Sequence, residues 1–574
     1  FAATGWVEED GTWYFYDSDG NRVEDAWKKS GDNWYWLDSE EGGAMAVDKL
    51  VEDDNDTYYV DSNGVMVRNT WVKVVNEDQD EDDDPAEYNY YYMQSNGKAY
   101  KAPDNSTTTR FRTIDGKRYA FDDEGKMLYG WVSNGERETD EDGWTNATYY
   151  LGSWDDGAMK TGWQKIYVHD DKEDDDLEHW FHFKSNGKKR YNDTTNDIKE
   201  EKINGRRYGF DDRGVMTFEW TLATTASTAS TSNWRYFNNV DDGARVTKGW
   251  FKVVAPHEDN DNVFTSSYGS TTFAYKDADE ENERWYYSDG DGKVVSGQIK
   301  KIKGKYYGFR PEGAAGDYKA GAMLSGLVLI KVDTATGEIL EVLDDGVDSD
   351  ELDDLMGEDA GSTIWQKYST TPVSGSQVVS LYYFGSDEDA DGAMKTGATT
   401  VTLDGSTYHF MFNKTGGAEG KGRGLTGIDD YKYIYKLGCR IKADSDDKYQ
   451  AVKVTPGVNG ALDIHGANVW VEKVKSQDLK TGATTFKNND NETVSYKDIS
   501  ALQASERKLY YLVNTSGNIQ KTKSAAKDGD DWYFYVYKSA LKLYANDKNL
   551  KEKVPGTRAK WEDYVSDSTT ENGK

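Results

Sequence analysis

Short runs in which aromatic and polar residues alternate recur along the chain, and each run ends in a polar turn that closes on glycine. Examples are YFYDSDG at 14–20, YYVDSNG at 58–64 and YAFDDEG at 119–125. Alternation places the aromatic side chains on one face of a strand. A turn rich in Asp, Ser and Asn that ends in Gly is typical of hairpins. The pattern therefore predicts a series of short β-hairpins.

A tryptophan follows these hairpins at a nearly constant distance. It lies six or seven residues after the turn glycine in six copies, which defines a repeat of about 20 residues. A lone hairpin is marginally stable in water, whereas stacked hairpins bury their aromatic residues between neighbours. We therefore predict an all-β fold, a β-hairpin solenoid in which each Trp packs against the next unit. The six residues are Trp27, Trp71, Trp131, Trp163, Trp220 and Trp250.

A longer period of insertions is superimposed on the short one. Strand-like runs that lead into insertions begin at Trp71, Trp163, Trp250 and Leu327, at intervals of 92, 87 and 77 residues. Three of these four insertions have acidic tips. We expect them to form long hairpins that project from the solenoid, and a weaker fifth run begins at Trp470.

Composition restricts the class of protein further. Aromatic residues make up 14% of the chain although only 36% of its residues are hydrophobic, which favours thin aromatic cores. The net charge of −35 disfavours nucleic acid and anionic membrane surfaces as partners, since both need a basic patch. The sequence contains no run of 18 apolar residues, so we expect no membrane insertion.

The cysteine count and the first residues bear on where the protein acts. The single cysteine, Cys439, excludes a disulfide framework within the chain and is expected to be a small buried residue. The chain opens on FAATGW, which resembles the end of a repeat and favours a processed protein or a piece of a longer one. The acidic composition fits a secreted or cell-surface location.

Two segments carry a resemblance to a known family. DGKRYAFDDEGKMLYGW at 115–131 and NGRRYGFDDRGVMTFEW at 204–220 combine aromatic residues, a polar turn, Gly-x-Met and a closing Trp. This pattern resembles the cell-wall-binding, choline-binding and glucan-binding repeats of Gram-positive bacteria, and also the repetitive tails of clostridial toxins. The resemblance covers residues 1–425, where we expect the repeat solenoid with its acidic long-hairpin insertions. For residues 426–574 it leaves open diverged repeats or a separate β-rich domain.

The resemblance implies ligand sites at the junctions between repeats. In choline-binding members, the Gly-Trp tryptophan and aromatic residues of the adjoining hairpins form a cage for a quaternary ammonium, which is attracted to the ring faces. Sugar-binding relatives use such rings as stacking platforms, and each Trp is alternatively a core residue between repeats. Junctions interrupted by acidic insertions, or with Leu327 or Ala398 in place of Trp, are expected to serve packing alone. The candidates are Trp6 with Trp13, Trp27 with Trp34 and Trp36, Trp131 with Tyr150, Trp163 with Trp180, Trp220 with Trp234, and Trp250 with Trp285.

Few residues are candidates for metal binding or catalysis. Asp387, Asp389 and Asp391 match the first half of a calcium loop of the EF-hand type, which makes calcium the one candidate cofactor. The twelfth position of that loop is Ala398 where Glu is needed, and the segment also fits a hairpin turn. The sequence contains no catalytic or metal-binding motif such as HExxH or CxxC, so we expect no enzymatic activity.

Three functions remain open from the sequence. The first is a non-catalytic secreted or cell-surface protein that binds cell-wall polymer, a choline-bearing polymer or a glucan through many weak aromatic sites. The second is a structural subunit of an extracellular fibre or surface assembly, in which the partners are copies of the same chain. The third is the targeting tail of a larger surface enzyme or toxin.

Overall fold

A two-residue turn, Asp10–Gly11 in the first hairpin, joins the paired strands. A longer polar turn then follows the second strand of most of the short hairpins. In the first of these polar turns, the N–H of Asp17 donates to the carbonyl of Asn21 (2.9 Å), and the Asp17 carboxylate accepts from the N–H groups of Asp19 and Asn21 (both 2.9 Å). Gly20 completes the turn with φ +79°, a conformation that favours glycine. The same backbone bonds recur at 61–65, 94–98, 122–126, 184–188, 211–215, 289–293 and 514–518.

This computed structural model confirms that the fold is nearly all-β and built from hairpins. Its described residues fall into two compact units, one mainly Phe1–Ala226 with Tyr236–Arg245 and the other mainly Tyr275–Lys574 with Val246–Phe264. The structure describes residues 3–79, 85–172, 174–193, 200–222, 234–239, 241–254, 283–311, 320–386, 391–416, 420–456, 469–488, 490–506, 509–548, 550 and 560–566.

The strands up to residue 245 pair almost entirely as neighbours in sequence, each hairpin with its own two- or three-stranded sheet. They are β1 (Gly5–Glu9), β2 (Thr12–Tyr16), β3 (Ala26–Ser30), β4 (Asn33–Asp38), β5 (Ala44–Met45), β6 (Lys49–Asp53), β7 (Asp56–Val60), β8 (Thr70–Val75), β9 (Tyr88–Met93), β10 (Phe111–Ile114), β11 (Lys117–Ala120), β12 (Trp131–Ser133), β13 (Glu136–Arg137), β14 (Tyr149–Tyr150), β15 (Gly162–Asp170), β16 (Asp175–Phe183), β17 (Glu200–Ile203), β18 (Arg206–Gly209), β19 (Glu219–Leu222), β20 (Trp234–Asn239) and β21 (Asp242–Arg245).

The second part of the chain adds larger sheets and helices. Its helices are α1 (Ser349–Gly357), α2 (Thr363–Thr370), α3 (Ser476–Lys480) and α4 (Ile499–Glu506). Its strands are β22 (Gly249–Val254), β23 (Glu283–Ser288), β24 (Gln298–Ile302), β25 (Lys305–Phe309), β26 (Gly326–Asp333), β27 (Glu338–Asp344), β28 (Gln377–Phe384), β29 (Gly397–Leu403), β30 (Ser406–Phe412), β31 (Gly427–Asp429), β32 (Tyr433–Lys436), β33 (Cys439–Arg440), β34 (Tyr449–Pro456), β35 (Val469–Val474), β36 (Thr484–Lys487), β37 (Thr493–Asp498), β38 (Leu509–Asn514), β39 (Lys523–Lys527), β40 (Tyr533–Tyr537) and β41 (Ala540–Ala545).

A methionine and a glycine join successive hairpins. Met127, at the end of one repeat, donates its backbone N–H to the carbonyl of Tyr90 in the preceding hairpin (2.8 Å). The turn glycine of the next repeat, Gly157, lies so close to the Met127 side chain that a Cβ there would come within 2.2 Å of Sδ. The Met of the Gly-x-Met in one repeat therefore packs against the turn glycine of the next repeat. The same glycine-on-methionine contact recurs for Gly64 on Met45, Gly97 on Met66, Gly187 on Met159, Gly243 on Met216, Gly392 on Met323 and Gly422 on Met394.

The acidic hairpin that begins at Trp163 is long, as predicted, and β15 pairs with β16 over nine residues. Its tip contains a buried ionic cluster and is not a purely solvated loop. Asp170 is buried and lies 2.7 Å from His179 Nε2 and 3.2 Å from Arg213 Nη1. Although burial alone would raise it, the pKa of Asp170 is held below its ordinary value by the His179 hydrogen bond and the Arg213 charge.

The run that begins at Leu327 forms the long hairpin that we expected, β26 with β27, and it also carries additions that the sequence pattern did not indicate. β26 pairs with both β27 and β28, and α1 and α2 lie between those two strands in sequence. α1 begins with a capping box in which Asp348 accepts from the N–H of Glu351 (2.8 Å) and Glu351 accepts from that of Asp348 (3.3 Å). Leu352 and Leu355 bury one face of the helix, so the apolar period changes from two to about 3.6 within the insertion.

The chain beyond residue 425 continues the β-rich architecture with larger sheets. Trp470 does not open a long hairpin with the residues that follow it, because β35 pairs back to β34 and α3 comes next. The turn at 514–518 nevertheless keeps the repeat hydrogen bonds. The proposed domain division at 425 stays a prediction, and one sheet pairs Phe410 on β30 with Cys439 on β33 across it. Cys439 is buried, as expected.

Within the described residues, no helix is long and apolar enough to cross a membrane.

Candidate ligand-binding junctions

Trp6 lies between its own hairpin and the next one. On β1 it is directly opposite Phe15 of β2, and their ring centres are 5.3 Å apart at 81°. The same indole contacts Tyr35 of the following hairpin, with ring centres 5.4 Å apart at 75°. Edge-to-face contacts of this kind hold aromatic cores together. The Trp of the repeat therefore packs across the junction, as the sequence pattern predicts.

The first junction contains an open cavity of about 350 Å³. Trp13 forms an outer wall, with 39% of its surface exposed. The Trp6 indole N–H is buried and has no hydrogen-bond partner among the residues that the structure describes. The cavity is thus aromatic on several sides and open to solvent. Its lining residues are Trp6, Trp13, Tyr35, Met45, Ser30 and Asn63.

Four of these lining residues define a group that we call an aromatic box: the repeat Trp, the aromatic residue four positions before the turn that follows the second strand, a Tyr of the next hairpin and the Met that ends it. Among the described residues, five junctions carry such a box. The first box is Trp6, Trp13, Tyr35 and Met45; the second is Trp27, Trp34, Tyr58 and Met66; the third is Trp71, Tyr90, Tyr119 and Met127; the fourth is Trp163, Trp180, Tyr208 and Met216; the fifth is Trp250, Trp285, Tyr307 and Met323.

The second box includes only two of its three predicted tryptophans. Trp27 contacts Tyr58 at 5.0 Å, and Met66 donates its N–H to the carbonyl of Trp34 (2.9 Å). Trp36 is 5% exposed and packs against Trp27 at 5.2 Å inside the hydrophobic core. Trp34 and Trp36 are two residues apart, yet only Trp34 occupies the wall position of the box.

The fourth and fifth boxes survive their insertions because the strands on either side stay paired, β15 with β16 and β22 with β23. In the fourth, Trp163 contacts Tyr208 at 4.8 Å, and the Trp180 indole N–H donates to Asp241 Oδ1 (3.2 Å). This hydrogen bond, together with the charge of Lys165, lowers the pKa of Asp241.

The fifth box repeats this arrangement, with Trp250 4.8 Å from Tyr307 and 6.3 Å from Trp285.

The third box is not among the candidate junctions predicted from the sequence. Trp71 contacts Tyr119 at 4.8 Å, and Tyr90 and Met127 complete the group. The acidic insertion after Trp71 suggests a broken junction, but β8 and β9 pair without a break on either side of it. The signal available in the sequence was the wall position: Tyr90 precedes its turn by the same four residues as Trp13 and Trp180.

Two further predicted junctions differ from an open box or lie partly outside the described residues. Trp131 and Tyr150 are in contact at 4.9 Å, but the Lys189 ammonium lies over the Trp131 ring at 5.4 Å. Trp220 is 1% exposed and contacts Tyr236 at 5.3 Å. Trp234 lies on β20, and its side chain is outside the described part of the chain.

The candidate calcium loop is only partly described. Asp387 and Asp389 lie outside the described residues. Asp391 pairs with Lys395 and accepts a hydrogen bond from the N–H of Ala393 (2.9 Å), as Asp156 does with Lys160 and Ala158 in an earlier repeat. Within the described part of the chain, no group of three or more His, Cys, Asp or Glu side chains could hold a metal ion. Calcium binding stays a prediction.

Comparisons with solved structures return proteins from Streptococcus pneumoniae. Choline binding protein F from Streptococcus pneumoniae is 16% identical, with 72% of this chain and 98% of that chain covered and a TM-score of 0.30. The modular autolysin LytC from the same organism is 15% identical, with 57% of this chain covered and a TM-score of 0.28. This chain matches only 54% of the autolysin's length. No curated protein sequence matches the chain.

A family model identifies the repeats themselves. The model described as a putative cell wall binding repeat matches residues 4–21, 25–41 and 48–66. These segments contain Trp6, Trp13 and Tyr35, three of the four residues of the first box, and the resemblance predicted from the sequence is confirmed for them. The N-terminal repeats of this chain are therefore cell wall binding repeats.

Proposed function

We propose that the chain is a non-catalytic cell-surface protein that binds a choline-bearing cell-wall polymer through its aromatic boxes. The observation that supports this most directly is the open cavity bounded by Trp6, Trp13 and Tyr35 within matched cell wall binding repeats. A trimethylammonium group is large, weakly hydrated and cationic, and it is attracted to the faces of aromatic rings. The acidic chain, with net charge −35, adds a general attraction for cations.

The residue paired across the strands with the outer-wall aromatic differs between boxes. This difference supports the first box as the one with the highest affinity for choline. Glu8 is directly across the strand pair from Trp13, where its carboxylate attracts a bound cation. In the second box the corresponding residue is Lys29, whose ammonium lies 5.9 Å from the centre of the Trp34 ring. The third, fourth and fifth boxes also carry lysine there: Lys73, Lys165 and Lys252.

A lysine at this position competes with an external cation for the same ring face. We therefore propose that affinity for choline decreases from the first box to those with lysine. In the fourth box the competition is weaker, because Lys165 is engaged by Glu178 (3.3 Å) and Asp241 (3.4 Å). Several weak sites on one chain still bind a repetitive polymer strongly, since each engaged site raises the effective concentration at the next.

Retention on a choline resin tests the proposal. The intact chain is expected to bind and to elute with free choline. Trp13→Ala removes an exposed wall without opening a core and should reduce retention, whereas Tyr167→Ala, a 65% exposed aromatic outside the boxes, should not. Equal retention of both variants, or no retention of the intact chain, refutes the proposal. Retention on an α-glucan resin alone would identify a sugar ligand and refute a quaternary ammonium.

A further inference from the structure

Lys189 occupies the repeat position that methionine holds in the five aromatic boxes. Its backbone N–H donates to the carbonyl of Thr148 (2.7 Å), as that of Met216 does to Trp180 (2.9 Å). The turn glycine of the next repeat, Gly214, lies on the Lys189 side chain, and a Cβ there would come within 2.7 Å of Cδ. The backbone register is therefore that of a box, with an amine in place of a thioether.

The Lys189 side chain runs into the junction and does not reach solvent, since the residue is 5% exposed. Its Nζ lies 5.4 Å from the centre of the Trp131 ring, within the range of a cation–π interaction. The same nitrogen donates to the carbonyl oxygens of Trp144 (2.7 Å) and Thr145 (3.3 Å). Both carbonyls belong to the short helical turn Gly143–Asn146. The amine thus contacts the ring and holds the inserted turn.

Buried aromatic side chains form the other walls of the junction. Phe181, which stands where the other boxes have Tyr, is fully buried and contacts Trp131 at 5.1 Å. Trp144, 3% exposed, covers another side, with its ring centre 6.5 Å from that of Trp131. An external cation at this face of the Trp131 ring would compete with the Lys189 amine.

We propose that the Trp131 junction is a cation site that the chain occupies itself, with the Lys189 amine in the place that an alkylammonium ligand takes at an open box. This junction then holds neighbouring repeats together and binds no external ligand. The proposal shares the box chemistry of the proposed function, but it does not depend on which polymer the open boxes bind.

The chain uses the same arrangement at a second, unrelated place. Lys436 is fully buried, and its Nζ lies 4.9 Å from the centre of the Trp470 ring and 5.5 Å from that of Trp365. It pairs with Glu358 (2.7 Å) and donates to the carbonyl of Met356 (3.3 Å) at the end of α1. There too a lysine between tryptophans anchors a helical insertion onto strands of the repeat architecture.

Burial of Lys189 makes the protonation of its amine measurable through the pH dependence of stability. Burial lowers the pKa of Lys189 to about 7, with Asp211 and Asp212 favouring the ammonium and Arg213 opposing it. In the unfolded chain the amine titrates near its ordinary value of 10.5. Between these two values the unfolded state binds one more proton than the folded state. Stability should therefore rise with pH across this window.

Chemical rescue of Lys189→Ala tests the proposal. The substitution removes three methylenes and the amine, and n-propylammonium replaces those atoms, whereas n-propanol replaces the volume without the charge. At pH 6 we expect n-propylammonium to raise the unfolding midpoint of the variant by about 3 °C more than that of the intact chain. Lys188→Ala, at an exposed neighbour that lines no box, should respond as the intact chain does.

Equal rescue by n-propanol, or no rescue at all, would overturn the proposal. If Lys189→Ala does not fold, Lys189→Met keeps most of the side-chain volume, with sulfur in place of the Cδ methylene, and removes the amine. The unfolding midpoint of the intact chain should then rise between pH 7 and 9 relative to that of Lys189→Met. Parallel profiles would overturn the proposal. Loss of choline binding with intact rescue would refute the proposed function and leave this site standing.

Discussion

Gly157→Ala should weaken the contact between two repeats. The segment DDGAMKTGW at 155–163 contains a second glycine, Gly162, which provides the control. A Cβ at Gly157 would lie 2.2 Å from Met127 Sδ and 2.5 Å from Met127 Cε, and φ is +73°. Gly162 has almost the same φ, +74°, but nothing lies within 4 Å of the corresponding Cβ position. The two substitutions therefore share the backbone strain, and only one adds a steric clash.

The magnitudes follow from these two contributions. An alanine held in the left-handed region costs about 1–2 kcal/mol, which is the whole expected loss for Gly162→Ala. Overpacking adds about 1–3 kcal/mol at Gly157, because Met127 is 5% exposed and packs in a cluster with Trp71, which limits its movement. We therefore expect a loss of about 2–5 kcal/mol of unfolding free energy for Gly157→Ala.

Denaturant unfolding of both variants, followed by circular dichroism, measures the difference. Met127→Ala alone costs about 2–5 kcal/mol as a buried methionine truncation. In the Gly157→Ala, Met127→Ala double variant the clash is absent. The cycle should then show a coupling of about 1–3 kcal/mol between the two sites. Equal losses for the two glycine variants, or strictly additive effects in the cycle, would refute the glycine-on-methionine explanation of repeat stacking.

Three further outcomes test other parts of the structure. Glu8→Lys should reduce choline affinity at the first box by about fivefold, and Lys29→Glu should increase it at the second, measured by titration with free choline; unchanged affinities would exclude these residues as determinants. Cys439 should resist alkylation at pH 8 until the chain is denatured, because burial raises the pKa of its thiol to about 12; rapid native labelling would contradict its burial. Asp348→Ala should lower stability by about 1 kcal/mol through loss of the α1 cap, and an unchanged unfolding curve would argue against that role.

The hairpins were predictable because their signals are local. Alternation places Trp13 and Phe15 on strand faces, and the Asp17 side chain bonds its own turn, so neither depends on distant residues. The repeat Trp was also predictable, since its spacing from the turn places it in the first strand of the next hairpin. The helices were not predicted, although the capping box at Asp348 and Glu351 carries a local signal for α1.

Which residues line a box was harder to predict from the sequence than the presence of the box. Trp34 and Trp36 look equivalent in the sequence, but only one lies at the wall position and the other is buried in the core. Tyr90 follows an acidic insertion that interrupts the repeat in the sequence, although the strands on either side of it are paired in the structure. Deciding between such residues needs the strand register, which depends on pairing between segments separated by the insertion.

The amino-acid pattern alone thus specifies the turns and hairpins, because their hydrogen bonds lie within a few residues, and it shows that Trp, Gly and Met recur at fixed positions. Tertiary structure decided which junction is open and which is filled. Lys189 looks like an ordinary surface lysine between Lys188 and Arg190, yet stacking of the next hairpin buries it against Trp131. Burial and ring proximity arise between segments far apart in sequence, so they exist only once the repeats have stacked.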